Sequence, residues 1–144
     1  MKHSPIRITR LSLILGLIAC GSDSTGPALP PVGSYTAIEF VTTGNSGQTN
    51  QLLIGGSLQM TLAANGTTSG HLHMAASGAN PVVDADMAGT WTQNTSFVEF
   101  SQPADTFVRD MTFTLEPIGP GVWDLAGDQV FSGTRIQLRL RHGP

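Results

Sequence analysis

Leu58-Gln-Met-Thr-Leu-Ala-Ala-Asn-Gly-Thr-Thr-Ser-Gly-His-Leu-His-Met74 decides the fold. Leu58, Met60 and Leu62 alternate with Gln59 and Thr61, the period-two pattern of a strand buried on one face. Asn65-Gly66 marks a reversal, and Leu72 and Met74 alternate with His71 and His73 on the way back. Two loop lengths fit. A two-residue Asn65-Gly66 turn sets His71 opposite Met60 and turns both histidines inward. A three-residue loop, Ala64-Asn65-Gly66 with Gly66 left-handed, sets Leu72 opposite Leu58 and turns the histidines to solvent. The second keeps Leu58, Met60, Leu62, Leu72 and Met74 on one face, which a one-residue slip would destroy. It is the expected register.

The same alternation recurs in Met111-Thr-Phe-Thr-Leu115 and Ile136-Gln-Leu-Arg-Leu140, as a sheet wetted on one side requires. No segment from Gly33 onward sustains a 3.6-residue apolar period, so the class is all-β. Candidate strands run over 34–42, 51–54, 57–63, 67–74, 82–92, 96–101, 109–116, 121–126 and 133–141, the second being the weakest. Turn signals separate them at Asn65-Gly66, Ser77-Gly-Ala-Asn-Pro81, Gln93-Asn94, Pro117-Ile-Gly-Pro-Gly121 and Ser132-Gly133. Short connections favour an antiparallel meander. About eight such strands either close into a small barrel, the preferred reading, or fold over as a two-sheet sandwich.

Gly33-Ser-Tyr35 and Met60-Thr-Leu-Ala-Ala-Asn-Gly-Thr67 resemble the opening and the first hairpin of lipocalin-like lipoprotein domains, and that resemblance implies a small barrel. Ahead of it, Met1 to Arg10 is basic and Leu11 to Ala19 is apolar, the order of an export signal. A membrane span needs ~20 apolar residues, so cleavage is the expected fate. Leu17-Ile18-Ala19-Cys20 resembles the lipobox of bacterial lipoproteins, which implies acylation of the Cys20 thiol and cleavage before it. Cys20 is the one cysteine of the chain, so no internal disulfide explains it. The expected organisation is a signal peptide over 1–19, an acylated Cys20 with a flexible tether over 20–32, and a single barrel over 33–144. Gly21 does not resemble the aspartate that retains such proteins at the inner membrane. The expected location is therefore the periplasmic face of the outer membrane, with the membrane as partner through Cys20.

Loss of the first 19 residues removes Lys2, Arg7 and Arg10 and leaves four arginines against all ten acidic residues. This balance excludes nucleic acid as a partner, since phosphate contacts need clustered cations. At 40% hydrophobic and 12% charged, the chain as a whole is apolar enough to fold.

His71-Leu-His73 and Asp84-Ala-Asp86 are the most suggestive side-chain pattern. Pairing Leu72 with Ala85 sets His71 opposite Asp86 and His73 opposite Asp84, a patch whose donors suit a divalent metal such as zinc. The plainer reading is a surface patch of imidazoles beside carboxylates. Arg135, Arg139 and Arg141 share one face of the last strand, where carboxylates such as Glu39 or Asp124 are expected to balance them. Trp91, Trp123, Phe100 and Phe113 either fill the core or line a cavity. A barrel centre closed by Trp91, Met87 and Leu138 would count against a ligand there. No Gly-x-Ser-x-Gly elbow or phosphate-binding loop is present. The expected role is non-enzymatic: binding of a small apolar ligand or an envelope partner protein, with no cofactor beyond the metal option, or else a structural module with a filled core.

Overall fold

The computed structural model describes residues 31–77 and 81–143. Among these residues ten strands form one antiparallel sheet: β1 (Gly33–Gly44), β2 (Gly47–Asn50), β3 (Ser57–Leu62), β4 (Thr67–Met74), β5 (Val83–Asp86), β6 (Gly89–Asn94), β7 (Phe97–Ser101), β8 (Phe113–Gly119), β9 (Val122–Phe131) and β10 (Thr134–His142). Going round the sheet, β1, β3, β4, β6, β7, β8, β9 and β10 follow one another in chain order, and β10 pairs back onto β1. The result is a closed eight-stranded up-and-down barrel, not a sandwich. β2 pairs with the end of β1 and β5 with the end of β4, both outside the ring. Closure removes the free edges at which an open sheet would pair with another chain.

The hairpin follows the three-residue reading. Leu58 faces Leu72, Ala63 and Thr67 close the loop, and Gly66 takes φ 81°. In β1, Tyr35 and Ala37 point inward, Ile38 is an extra residue in the pairing with β10, and beyond it Phe40 and Thr42 point inward. This bulge shifts the strand's phase by one residue and lets β1 bend around the barrel.

Four expectations are corrected. Gln51–Ile54, read as a strand, is a 3-10 turn, because the Asn50 side chain accepts from Leu52 N at 3.0 Å and Gly55 ends the turn at φ 101°. Such local side-chain bonds compete with strand pairing. The strand expected over 82–92 is interrupted at Met87–Ala88, although β5 and β6 keep one register against β4: His71 faces Asp86 and Thr68 faces Gly89. The start of the strand expected at 109–116 is a helical turn, α1 (Phe107–Asp110), in which Arg109 N bonds Thr106 O. The turn expected at Gln93-Asn94 lies instead at Thr95-Ser96, between Asn94 and its partner Phe97.

The barrel interior is filled. Leu58, Leu72, Met87, Phe113 and Leu125 are wholly buried, Leu138 is nearly so, and Phe100 packs edge-on against Phe113 at 5.3 Å. Met87 and Leu138 belong to this core, which counts against a ligand at the barrel centre. Trp91 is half-buried beside the hairpin loop, where its Nε1 donates to Ala63 O at 3.0 Å. Met111 follows α1 and inserts over Gly127 of β9, where a Cβ would overlap its sulfur.

At the pole where β1 begins, Tyr35 donates to Pro31 O at 2.9 Å and His142 donates to Val32 O at 3.2 Å. Pro31 and Val32, expected at the end of a flexible tether, are thus held against the barrel. The expected signal peptide over 1–19, and Cys20 with the tether as far as residue 30, lie outside the described residues. Among the described residues no helix is long and apolar enough to cross a membrane.

Candidate functional site

The barrel's centre is closed, but its far mouth is not. Where β1 ends and β10 begins, Thr42 faces Ile136. The 3-10 turn caps this mouth from one side and α1 from the other. Between them lies a cavity of about 270 Å³ whose walls include Thr42, Gln51, Met74, Val83, Phe107 and Phe131.

Local sequence places each wall. The Asn50 cap and the left-handed Gly55 fix the 3-10 turn, so that Gln51 is 1% exposed while Leu53 is 83% exposed. Gln51 Nε2 donates to Thr42 Oγ1 at 3.2 Å, and its Oε1 has no hydrogen-bond partner. Phe107, at the start of α1, lies 5.7 Å from the core ring of Phe40 and 6.2 Å from Phe131, which makes one wall aromatic. The tight Ser132-Gly133 turn, with φ 49° and 80°, holds Phe131 at the rim. No ionisable side chain belongs to the described walls.

A larger concavity, about 600 Å³, lies on the outer face across β8, β9 and β10 and includes Glu39, Phe97, Glu116, Asp128 and Arg139. Its charges are already matched. Arg135 pairs with Asp128 at 2.5–2.7 Å, Arg139 with Glu116, and Arg139 reaches Asp124 and Glu39 at 3.7 and 4.0 Å. Asp124, only 1% exposed, also meets Arg141 at 3.3 Å. The arginine face expected to be balanced by Glu39 and Asp124 is balanced by both, with Glu116 and Asp128 added. This depression therefore carries matched structural charges rather than a free group for a ligand.

The His/Asp patch assembles in the anticipated register, His71 opposite Asp86 and His73 opposite Asp84. His73 Nδ1 lies 2.7 Å from Asp84 Oδ1, His71 Nε2 lies 3.3 Å from the same oxygen, and His71 Nδ1 lies 3.4 Å from Asp86. The hydrogen bond from His73, aided by His71 and opposed by slight desolvation, holds the Asp84 carboxyl below the usual carboxylate range. These contacts are imidazole-to-carboxylate hydrogen bonds on an exposed surface. Among the described residues no group of three or more His, Cys, Asp or Glu side chains is placed to hold a metal ion.

Trp91, Trp123, Phe100 and Phe113 do not line the mouth cavity. The residues that do went unmarked in the sequence. Their one local signal is Asn50 followed by Gln51 and then Gly55-Gly56, a capped turn in place of a strand. No family model, curated protein or solved structure matches this chain.

Proposed function

We propose that this chain is an exported protein of a bacterial envelope, anchored through acylated Cys20 to the periplasmic face of the outer membrane, whose barrel binds a small apolar ligand without chemical transformation. The mouth cavity carries the binding half of this reading. It is concave, largely apolar and furnished with a few polar atoms, the usual make-up of a small-molecule site. The lipobox resemblance and the lone cysteine support the anchor.

The filled centre favours a second reading, a packed module that serves as an interaction partner within the envelope. Native mass spectrometry of the chain from residue 20 onward, with Cys20→Ser and purified gently from a periplasm, separates the two. The binding reading expects a stoichiometric organic adduct that disappears in Val83→Trp, which fills the cavity. A bare mass after incubation with mixed envelope lipids transfers the weight to the partner module. For the anchor, the full chain made in a bacterial host should yield an N-terminal peptide beginning at acylated Cys20. An unmodified thiol there would refute the anchor.

A further inference from the structure

We infer that the rim of the mouth docks on a lipid bilayer and turns the cavity toward the hydrocarbon of the membrane that acylated Cys20 enters. The inference rests on the anchor reading above for the nearness of that bilayer and extends it to the domain itself.

Eight large hydrophobic side chains stand exposed among the described residues, and four of them border the mouth. Leu53 and Ile54 sit on the 3-10 turn, Val82 lies between the wall residues Pro81 and Val83, and Val130 adjoins Phe131. Their exposures are 83%, 46%, 52% and 66%. Scattered singly such residues are ordinary, but gathered on one rim they mark a contact surface. The segments that carry them and supply cavity walls, 51–56, 74–77, 81–83 and 129–134, hold no charged residue. Arg135, which faces Val130, is neutralised by Asp128. The opposite pole differs. Its exposed hydrophobics, Val32, Phe97 and Ile118, are only 38%, 45% and 48% accessible, and Phe97 shares its concavity with Glu116 and Arg139.

Charge and reach identify the partner. The chain from Cys20 onward has four arginines, no lysine and ten acidic residues, so no polybasic patch draws it to anionic lipid. What the rim offers is aliphatic contact with acyl chains. Cys20 to residue 30 is a run of eleven residues, which spans at most ~36–40 Å. β1 from Gly33 to Thr42 covers ~30 Å. An anchor that leaves from the far pole therefore still lets the mouth reach the same bilayer. Tethering supplies a high effective concentration of lipid, so a rim contact that is weak by itself suffices. Docked in this way, the cavity opens onto hydrocarbon, the medium in which an apolar ligand concentrates.

The test uses the chain from residue 20 with Cys20→Ser and no added ligand, so its outcome depends neither on acylation nor on ligand binding. Rim contact without the anchor should be weaker than that of a single acyl chain, ~10⁴ M⁻¹, which calls for vesicles at millimolar lipid. Co-sedimentation with phosphatidylcholine vesicles should show partitioning that salt does not reduce and added phosphatidylglycerol does not raise. Leu53→Ser should lower the partition coefficient on the order of ten-fold, the worth of burying one leucine side chain, and Val82→Ser several-fold. Ile118→Ser, at the pole where Glu116 and Asp124 pair, should leave it unchanged. All three side chains are exposed, so the fold tolerates the changes. No partitioning overturns the inference, as does a loss in Ile118→Ser without one in Leu53→Ser, which would assign the contact to the other pole. Self-association without lipid that Leu53→Ser abolishes would overturn it too, because a second copy would then cover the rim.

Discussion

Leu58 stands directly opposite Leu72 across the β3–β4 hairpin, and both are wholly buried. One residue fewer in the loop would place His71 and His73 inside the barrel. The relationship therefore depends on Gly66, whose φ of 81° lies in the left-handed region that side chains disfavour.

Gly66→Ala should destabilise the domain by ~1–2 kcal/mol, the cost of a Cβ in that conformation. A Cβ there would meet nothing closer than Trp91 O at 3.9 Å, so the loss would be conformational rather than steric. Urea unfolding at neutral pH reads it. A loss well above that range would mean that the loop changes length.

Gly127→Ala should be damaging for a different reason, because its Cβ would overlap the Met111 sulfur. Overpacking of this kind costs ~1–3 kcal/mol. Met111→Ala alone should cost ~2–5 kcal/mol through the space it leaves. Combined, the two should be far from additive, since removing Met111 makes room for the alanine. Additive losses in a double-mutant cycle would show that Met111 does not cover Gly127.

Removing Arg139 should cost much more than removing Arg135. Arg135 and Asp128 form an exposed pair with side chains 53% and 45% accessible, which solvent screens to a small contribution. Arg139 helps compensate Asp124, whose carboxylate is 1% accessible. Arg139→Met leaves that charge with Arg141 alone, a loss on the order of 3 kcal/mol. Thermal unfolding of the two variants side by side checks the ranking.

Tyr35 is the one tyrosine in the chain, so absorbance of the phenolate reports it without interference. Burial pushes its pKa up, and the charge of Asp124 adds to the effect. The unfolded phenol titrates near ~10. A folded value raised above the unfolded one means that the stability linked to this proton is intact below pH ~10 and is lost as pH rises further. Phenolate should appear only well above pH 10, and together with loss of the fold. Titration at the ordinary value in the folded protein would refute the burial.

Local alternation made most of this fold legible. The hairpin at 58–74 and the pairing of His71 and His73 with Asp86 and Asp84 follow from which side chains must share a face, because a single slip flips them all. What stayed illegible depends on a few residues or on distant ones. Gln51-Leu-Leu-Ile54 is too short for its apolar run to distinguish a turn from a strand. α1 is four residues long, less than two turns of any helical period. The bulge at Ile38 left a trace, the change of phase between Ala37 and Phe40, but its partner strand lies about a hundred residues away. The mouth cavity is further still from sequence, since its walls come from six separate segments that meet only when β10 closes on β1.

β1 enters the barrel beside His142 and reaches the cavity at Thr42, nine residues on, a strand length of ~30 Å. The first and last described strands thus leave the barrel from the same pole, and the opening faces the other way. A purification tag or solid support joined directly before Pro31 or directly after Gly143 would start from the pole opposite the opening, so binding could be measured on an immobilised sensor.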